Sequence, residues 1–278
     1  MRISKNRFVL GSYQYMRYPL DYFLDTAVML GIGHVELWAA APHLCLDVMD
    51  EKSLRIIKNQ LQERELSVVC ITPEQCSYPV NIAAEEQALR RFSINILCIA
   101  IDVAAELKSS MVLVTAGCGY FNRSKDDAWR RASDSLKYLA KTAHRKGIKL
   151  VLETLTPLSS NIVNTPLQQM KMLSEMPSET MTAMLDIGQM VYMNQTIEDY
   201  QNILGKELSH VHLHDSYPSI HMALGDGKLP ISEYLGLLEK GEYQGFYSFE
   251  CNDLCYREKP READKKNLEY LKKCNILI

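Results

Sequence analysis

A closed (β/α)8 barrel is the fold this sequence predicts, and three observations carry the prediction. Short runs rich in β-branched and aliphatic residues alternate with longer amphipathic stretches, eight such units fit into 278 residues, and the alternation is never broken. An open sheet of this length shows a change of rhythm or a second domain more often, whereas α/β barrels of roughly 250 residues fold as one unit. A single barrel domain over 1–278 is therefore expected.

The strands are expected at 8–12, 34–38, 67–72, 111–115, 149–155, 182–187, 209–215 and 247–251. Helical stretches lie between them. At 51–65, Leu54, Ile57, Lys58 and Leu61 fall near one face, and longer helices are expected at 85–107 and 125–146, the last closed by Gly147. Gly31, Gly33 and Gly147 each follow a helix and precede a strand, which is ordinary αβ-loop chemistry. After the first strand the chain reads Leu10-Gly-Ser-Tyr-Gln14, without the Gly-x-Gly-x-x-Gly that an open nucleotide-binding sheet places there.

Composition narrows the class of function. Apolar residues make up 47% and charged residues 23%, enough for a sizeable core and no sign of disorder. The net charge is -3 with histidines neutral, and no run of lysine and arginine could follow a phosphate backbone, so nucleic acid is not an expected partner. The first residues lack the apolar stretch of a signal peptide, and no segment approaches the roughly 20 apolar residues of a membrane span; a cytoplasmic protein without membrane attachment is expected. Cys45, Cys70, Cys76, Cys98, Cys118, Cys251, Cys255 and Cys274 are scattered and read mostly as reduced core residues. Cys251 and Cys255 are the only close pair and have no matching pair elsewhere, so a cysteine zinc site is not expected.

Barrel strands are buried on both faces, and a charged side chain there costs several kcal/mol unless it is paired or binds a metal. Four consecutive strands carry such a residue near the end: Glu153, Asp186, His212 and Glu250. If all point inward they converge at the C-terminal mouth, where barrel enzymes place their chemistry. Three carboxylates and an imidazole suit one Mn²⁺, Co²⁺, Mg²⁺ or Zn²⁺ per chain, with a position left open for a substrate oxygen. Taken singly, each has a plainer explanation: a lysine or arginine partner for the glutamates, helix capping for Asp186, a backbone carbonyl for His212.

Weaker candidates surround these four. His221 precedes Leu224-Gly-Asp-Gly227, where a flexible turn would bring its ring over the metal or the substrate. His210 and His214 share the parity of His212, His210 deeper as a core histidine and His214 nearer the mouth. Glu36, Trp38, Glu74 and His43 stand at or beyond the ends of strands 2 and 3, placed to bind substrate hydroxyls or to offer an apolar ring face.

The segments Ile71-Thr-Pro-Glu74, Leu152-Glu-Thr-Leu-Thr-Pro157 with Asn161-Ile-Val, and His221-Met-Ala-Leu-Gly-Asp-Gly-Lys-Leu-Pro230 resemble the xylose-isomerase-like barrels, which include sugar isomerases, sugar 3-epimerases and the apurinic endonuclease IV group. Within that family the resemblance is strongest to the fructoselysine 3-epimerase branch, then to ketose 3-epimerases of the psicose and tagatose type, and it covers essentially the whole chain. It implies that Glu153, Asp186, His212 and Glu250 are the metal ligands and that Glu153 and Glu250 also move protons. Many ketose 3-epimerases carry a substrate-contacting histidine three residues after the strand-6 aspartate; this chain has Gln189 there, which is assigned to the substrate side. Their arginine after the strand-7 histidine has no counterpart.

The activity so implied is 3-epimerisation of a ketose or ketose conjugate through a cis-enediolate, with Glu153 and Glu250 on opposite faces of C3. An aldose–ketose isomerase and an inosose-type dehydratase begin with the same proton removal and stand as alternatives; endonuclease IV-like chemistry and a non-catalytic sugar-binding barrel fit less well. Related barrels form dimers or tetramers, so a homo-oligomer is expected.

Overall fold

The computed structural model describes residues 2–75, 79–177 and 179–278; Cys76 lies outside them. Eight parallel strands close on themselves in sequence order: β1 (Phe8–Gly11), β2 (His34–Ala39), β3 (Ser67–Pro73), β4 (Met111–Val114), β5 (Lys149–Leu152), β6 (Met181–Asp186), β7 (Leu208–Leu213) and β8 (Phe246–Phe249). Closure is made by β8 on β1, with Phe8 opposite Tyr247 and Leu10 opposite Phe249. The helices that return the chain are α1 (Leu20–Leu30), α2 (Glu51–Glu63), α3 (Gln87–Glu106), α4 (Lys125–His144), α5 (Pro166–Ser174), α6 (Ile187–Tyr192), α7 (Ile197–Leu204), α8 (Ile231–Lys240) and α9 (Pro260–Lys273). Among the described residues, no helix is long and apolar enough to cross a membrane.

Alternation along each strand divides the core into two layers. Outward residues such as Val35, Leu37, Val211 and Leu213 pack under the helices, while Val9, Val69, Met111, Leu113, Val151 and Met184 form a separate apolar plug. Polar side chains at the same inward parity, above all His210, His212 and Glu36, are therefore carried towards the mouth.

Helix starts follow side-chain capping: Asp50 accepts from Ser53 N, Ser124 from Asp127 N, and Thr196 forms a capping box with Asp199. Gly31 ends α1 in the left-handed conformation at φ 63°, and Gly147 at φ 73° follows α4.

Three differences from the sequence reading bear on the site. β5 stops at Leu152 and β8 at Phe249, so Glu153 and Glu250 stand one residue beyond their strands, although their N–H groups still donate to Val114 O (2.9 Å) and Leu213 O (3.3 Å). The backbone keeps its direction for one more residue while the side chain clears the barrel wall. Register shifts occur between Val35 and Glu36 and between Ala183 and Met184, and such irregularities re-aim the side chains that follow. The cysteines are free among the described residues, but only Cys70 and Cys251 are fully buried; Cys255 and Cys274 are exposed because they fall on a surface turn and a helix end.

Candidate active site

A cavity of about 450 Å³ opens at the C-terminal mouth. Its wall includes all four residues expected to converge, and also Gln189, His214, His221, Glu74 and Trp38. His43 does not line it: its Nε2 lies 2.6 Å from Tyr18 O, so the ring is turned to backbone rather than to the cavity.

Asp186 closes β6 and caps α6, its Oδ1 accepting from Gln189 N at 2.6 Å. The plain capping explanation thus holds for one oxygen only. Oδ1 also meets His214 Nε2 at 3.3 Å, while Oδ2 is buried with no hydrogen-bond partner. Burial opposes ionisation of Asp186, but the adjacent His214, with His221 and His212, holds it below the usual carboxylate range.

His212 is divided in the same way. Nε2 lies 2.9 Å from Glu36 Oε1, and Nδ1 is buried without a hydrogen-bond partner. Around Nδ1 stand Glu250 Oε2 at 2.9 Å, an approach lacking hydrogen-bond alignment, and Glu153 Oε1 at 3.9 Å. Glu250 Oε2 is likewise without a hydrogen-bond partner. Ligand atoms of Glu153, Asp186 and His212 all lie within 4.8 Å of one another, and so do those of Asp186, His214, His221 and Glu250. Burial pushes Glu153 well above the usual carboxylate range; His212 partly offsets this, and Asp186, Glu250 and Glu36 add to it. Burial lowers His212, yet Glu36 and Glu250 raise it on balance.

Each buried polar atom without a partner costs about 1–3 kcal/mol. Three of them belong to Asp186, His212 and Glu250, which line the same cavity as Glu153; Asp186 groups with Glu153 and His212 on one side and with Glu250, His214 and His221 on the other. Oxygen and imidazole donors of this kind suit a hard or borderline divalent cation, and the residues present therefore fit one.

The loop after β7 departs from expectation. Leu224-Gly-Asp-Gly227 is wound around Asp215, whose carboxylate accepts from Ser216 N (2.8 Å), Leu229 N (2.9 Å) and Gly225 N (3.0 Å). Gly225 has φ 86°, and a Cβ on Gly227 would lie 2.3 Å from Asp215 Oδ1, so both glycines serve the turn. His221 is held rather than swung: it is left-handed at φ 56°, and its carbonyl accepts from Asn252 N at 3.0 Å. Its ring lies 4.4 Å from that of His214, tilted by 53°, with Nε2 3.6 Å from Glu250 Oε2. Gln189 Oε1 accepts from Thr156 N at 2.8 Å, tying the β5 loop to the start of α6.

Glu36 also differs from its expected role at sugar hydroxyls. It is fully buried beneath the cavity and absent from its wall. Tyr13, whose hydroxyl donates to Glu36 Oε1 at 2.7 Å, does line the cavity and was not legible as a site residue, because it follows β1 as one tyrosine among fifteen.

Comparison with known proteins agrees with this fold. Fructoselysine 3-epimerase of Shigella flexneri is 28% identical over 258 residues, which cover 92% of this chain and 93% of that protein. The structure of 3-keto-D-glucoside 4-epimerase from E. coli matches with a TM-score of 0.82 at 19% identity, over 96% of this chain and 99% of the other. That of D-allulose 3-epimerase from Methylomonas sp. matches with a TM-score of 0.80 at 18% identity, over 99% and 100%; at such identities the two structures share the fold. The family model described as Xylose isomerase-like TIM barrel matches residues 24–274, and the chain belongs to that family.

Proposed function

We propose that this protein is a metal-dependent 3-epimerase of an unphosphorylated ketose or ketose conjugate, with Glu153, Asp186, His212 and Glu250 as the protein ligands of one divalent ion. The observation that carries the reading is that Asp186, His212 and Glu250, each with a buried atom lacking a hydrogen-bond partner, line one cavity together with Glu153. The epimerase names of the relatives support the reaction class.

When bound, the ion supplies a Lewis acid beside the ketose carbonyl and the neighbouring hydroxyl. Glu153 and Glu250 come from different strands and border the same volume, so one is placed to take the C3 proton and the other to return one from the opposite face. Inversion results without a redox cofactor. His214, His221 and Gln189, with Trp38 and Glu74 across the cavity, serve the sugar hydroxyls and carbons. No lysine or arginine stands among the described residues of the wall, so a substrate phosphate would find no such partner there.

The test is a panel of free ketoses, glycated amino acids and their phosphates, offered to protein stripped of metal and then reloaded with Mn²⁺. A C3 epimer formed from an unphosphorylated member only after reloading is the expected result. Full turnover in the stripped protein, or a preference for phosphates, contradicts the proposal.

A further inference from the structure

A carboxylate inside a barrel needs donors, and Glu36 has four. Its Oε1 accepts from Tyr13 OH at 2.7 Å, from His212 Nε2 at 2.9 Å and, in a shorter bond, from Thr72 Oγ1. Oε2 lies 2.8 Å from His210 Nε2. These donors come from the segment after β1, from β3 and twice from β7, so Glu36 on β2 links walls of the barrel that are not neighbours in the sheet. With every donor in place it is closed to substrate.

The consequence lies in the imidazole. Both nitrogens of His212 stand 2.9 Å from a carboxylate, but only the Nε2 contact with Glu36 is aligned for a hydrogen bond, so in the neutral ring the hydrogen sits on Nε2 and Nδ1 is left unprotonated. Nδ1 is the atom directed at Glu250 and Glu153. The opposite tautomer would set a nitrogen lone pair against Glu36 Oε1 and a hydrogen where a cation ligand is needed. His210, deeper on the same strand, occupies the second oxygen and prevents the carboxylate from turning away.

We propose that Glu36 is a positioning residue that fixes the His212 tautomer with Nδ1 free and aimed between Glu153 and Glu250, and so sets the affinity of the chain for a divalent cation. This rests on the reading of the site given above. Glu36→Gln keeps the shape but offers one accepting oxygen in place of two. Its NH₂ must face one of the donors, so the two imidazoles compete for what remains.

Two measurements test the proposal. Long-range ¹H–¹⁵N spectra of the metal-free wild-type protein, taken at a pH high enough for the ring to be neutral, should show His212 with its hydrogen on Nε2, and this needs no variant to fold. Mn²⁺ titration by calorimetry should show Glu36→Gln binding about 10–100-fold more weakly, the range for losing such a partner of a metal-binding histidine. In the variant the His212 signals should move towards the other tautomer. A wild-type ring with its hydrogen on Nδ1 overturns the proposal, as does a folded Glu36→Gln protein with wild-type Mn²⁺ affinity. A wild-type protein that takes up no Mn²⁺ overturns instead the reading of the site, and the proposal falls with it.

Discussion

Glu153 and Glu250 lose a proton acceptor when changed to glutamine but keep an oxygen that can face a cation, which makes them the informative substitutions at the level of single residues. Each Gln variant should retain bound Mn²⁺ while turnover drops by about 10²–10⁴, the range for losing acid–base help. Near-normal turnover in either would remove that glutamate from the proton path. Asp186→Asn and His212→Ala should behave differently, losing Mn²⁺ and activity together; metal analysis after dialysis separates the two classes. Away from the site, Asp264 is buried with Tyr15 OH at 2.5 Å and Gln14 Nε2 at 2.9 Å, and burial pushes its pKa up to about 7. A carboxyl raised in the folded state stabilises fully below its unfolded pKa near 3.8, and that stabilisation is lost as pH rises through 7. Asn at this position can still accept from Tyr15 and can donate to Gln14 Oε1, which has no partner now, once that amide turns. Urea unfolding should therefore show wild-type stability falling by about 3 kcal/mol more than Asp264→Asn between pH 5 and pH 8; parallel slopes would contradict this. The four polar strand-end residues were legible in the sequence because a charge in a doubly buried strand has no ordinary reason to be there. The role of Glu36 was not, since its partners His210 and His212 lie 174 and 176 positions away and only barrel closure brings them together.

Strand and helix ends are where the sequence pattern is least informative, and here they decide where the chemistry sits. Runs of apolar residues at 149–155 and 247–251 predict strands through Glu153 and Glu250, but the ladders end one residue earlier because β5 and β8 give way to the mouth loops. The turn glycines after β7 were visible as a motif, while the carboxylate of Asp215 that organises them was not, because an Asp at a strand end has many uses. α6 offers a direct test of how tightly an element holds the site. A Cβ on Gly188 would stand 2.4 Å from His214 Cε1 and 3.4 Å from Asp186 Oδ1. Gly188→Ala must push the His214 ring away from Asp186, at a cost of about 1–3 kcal/mol. Thermal unfolding should show that loss, and Mn²⁺ should bind more weakly as Asp186 shifts; an unchanged melting temperature and affinity would mean that His214 does not help to hold Asp186.

At the scale of the whole molecule, the alternation of apolar strands and amphipathic helices, unbroken by a change of rhythm or a second domain, led to a closed barrel, which buries eight such strands on both faces and leaves no edge. The same closure collects one polar residue from each of four neighbouring strand ends at a single mouth and leaves the described wall without a lysine or arginine. Epimerisation, isomerisation and simple sugar binding all predict a sugar in that cavity, and they differ in where a proton moves. The decisive measurement is turnover of a ketose substrate by the Mn²⁺-loaded protein in deuterium oxide, followed by NMR of the product. If Glu153 and Glu250 act from opposite faces, deuterium enters at C3 of the epimer, because the proton taken by one carboxylate is not the one delivered by the other. Deuterium at C1, or an epimer formed with no solvent label at C3, would contradict the two-base account.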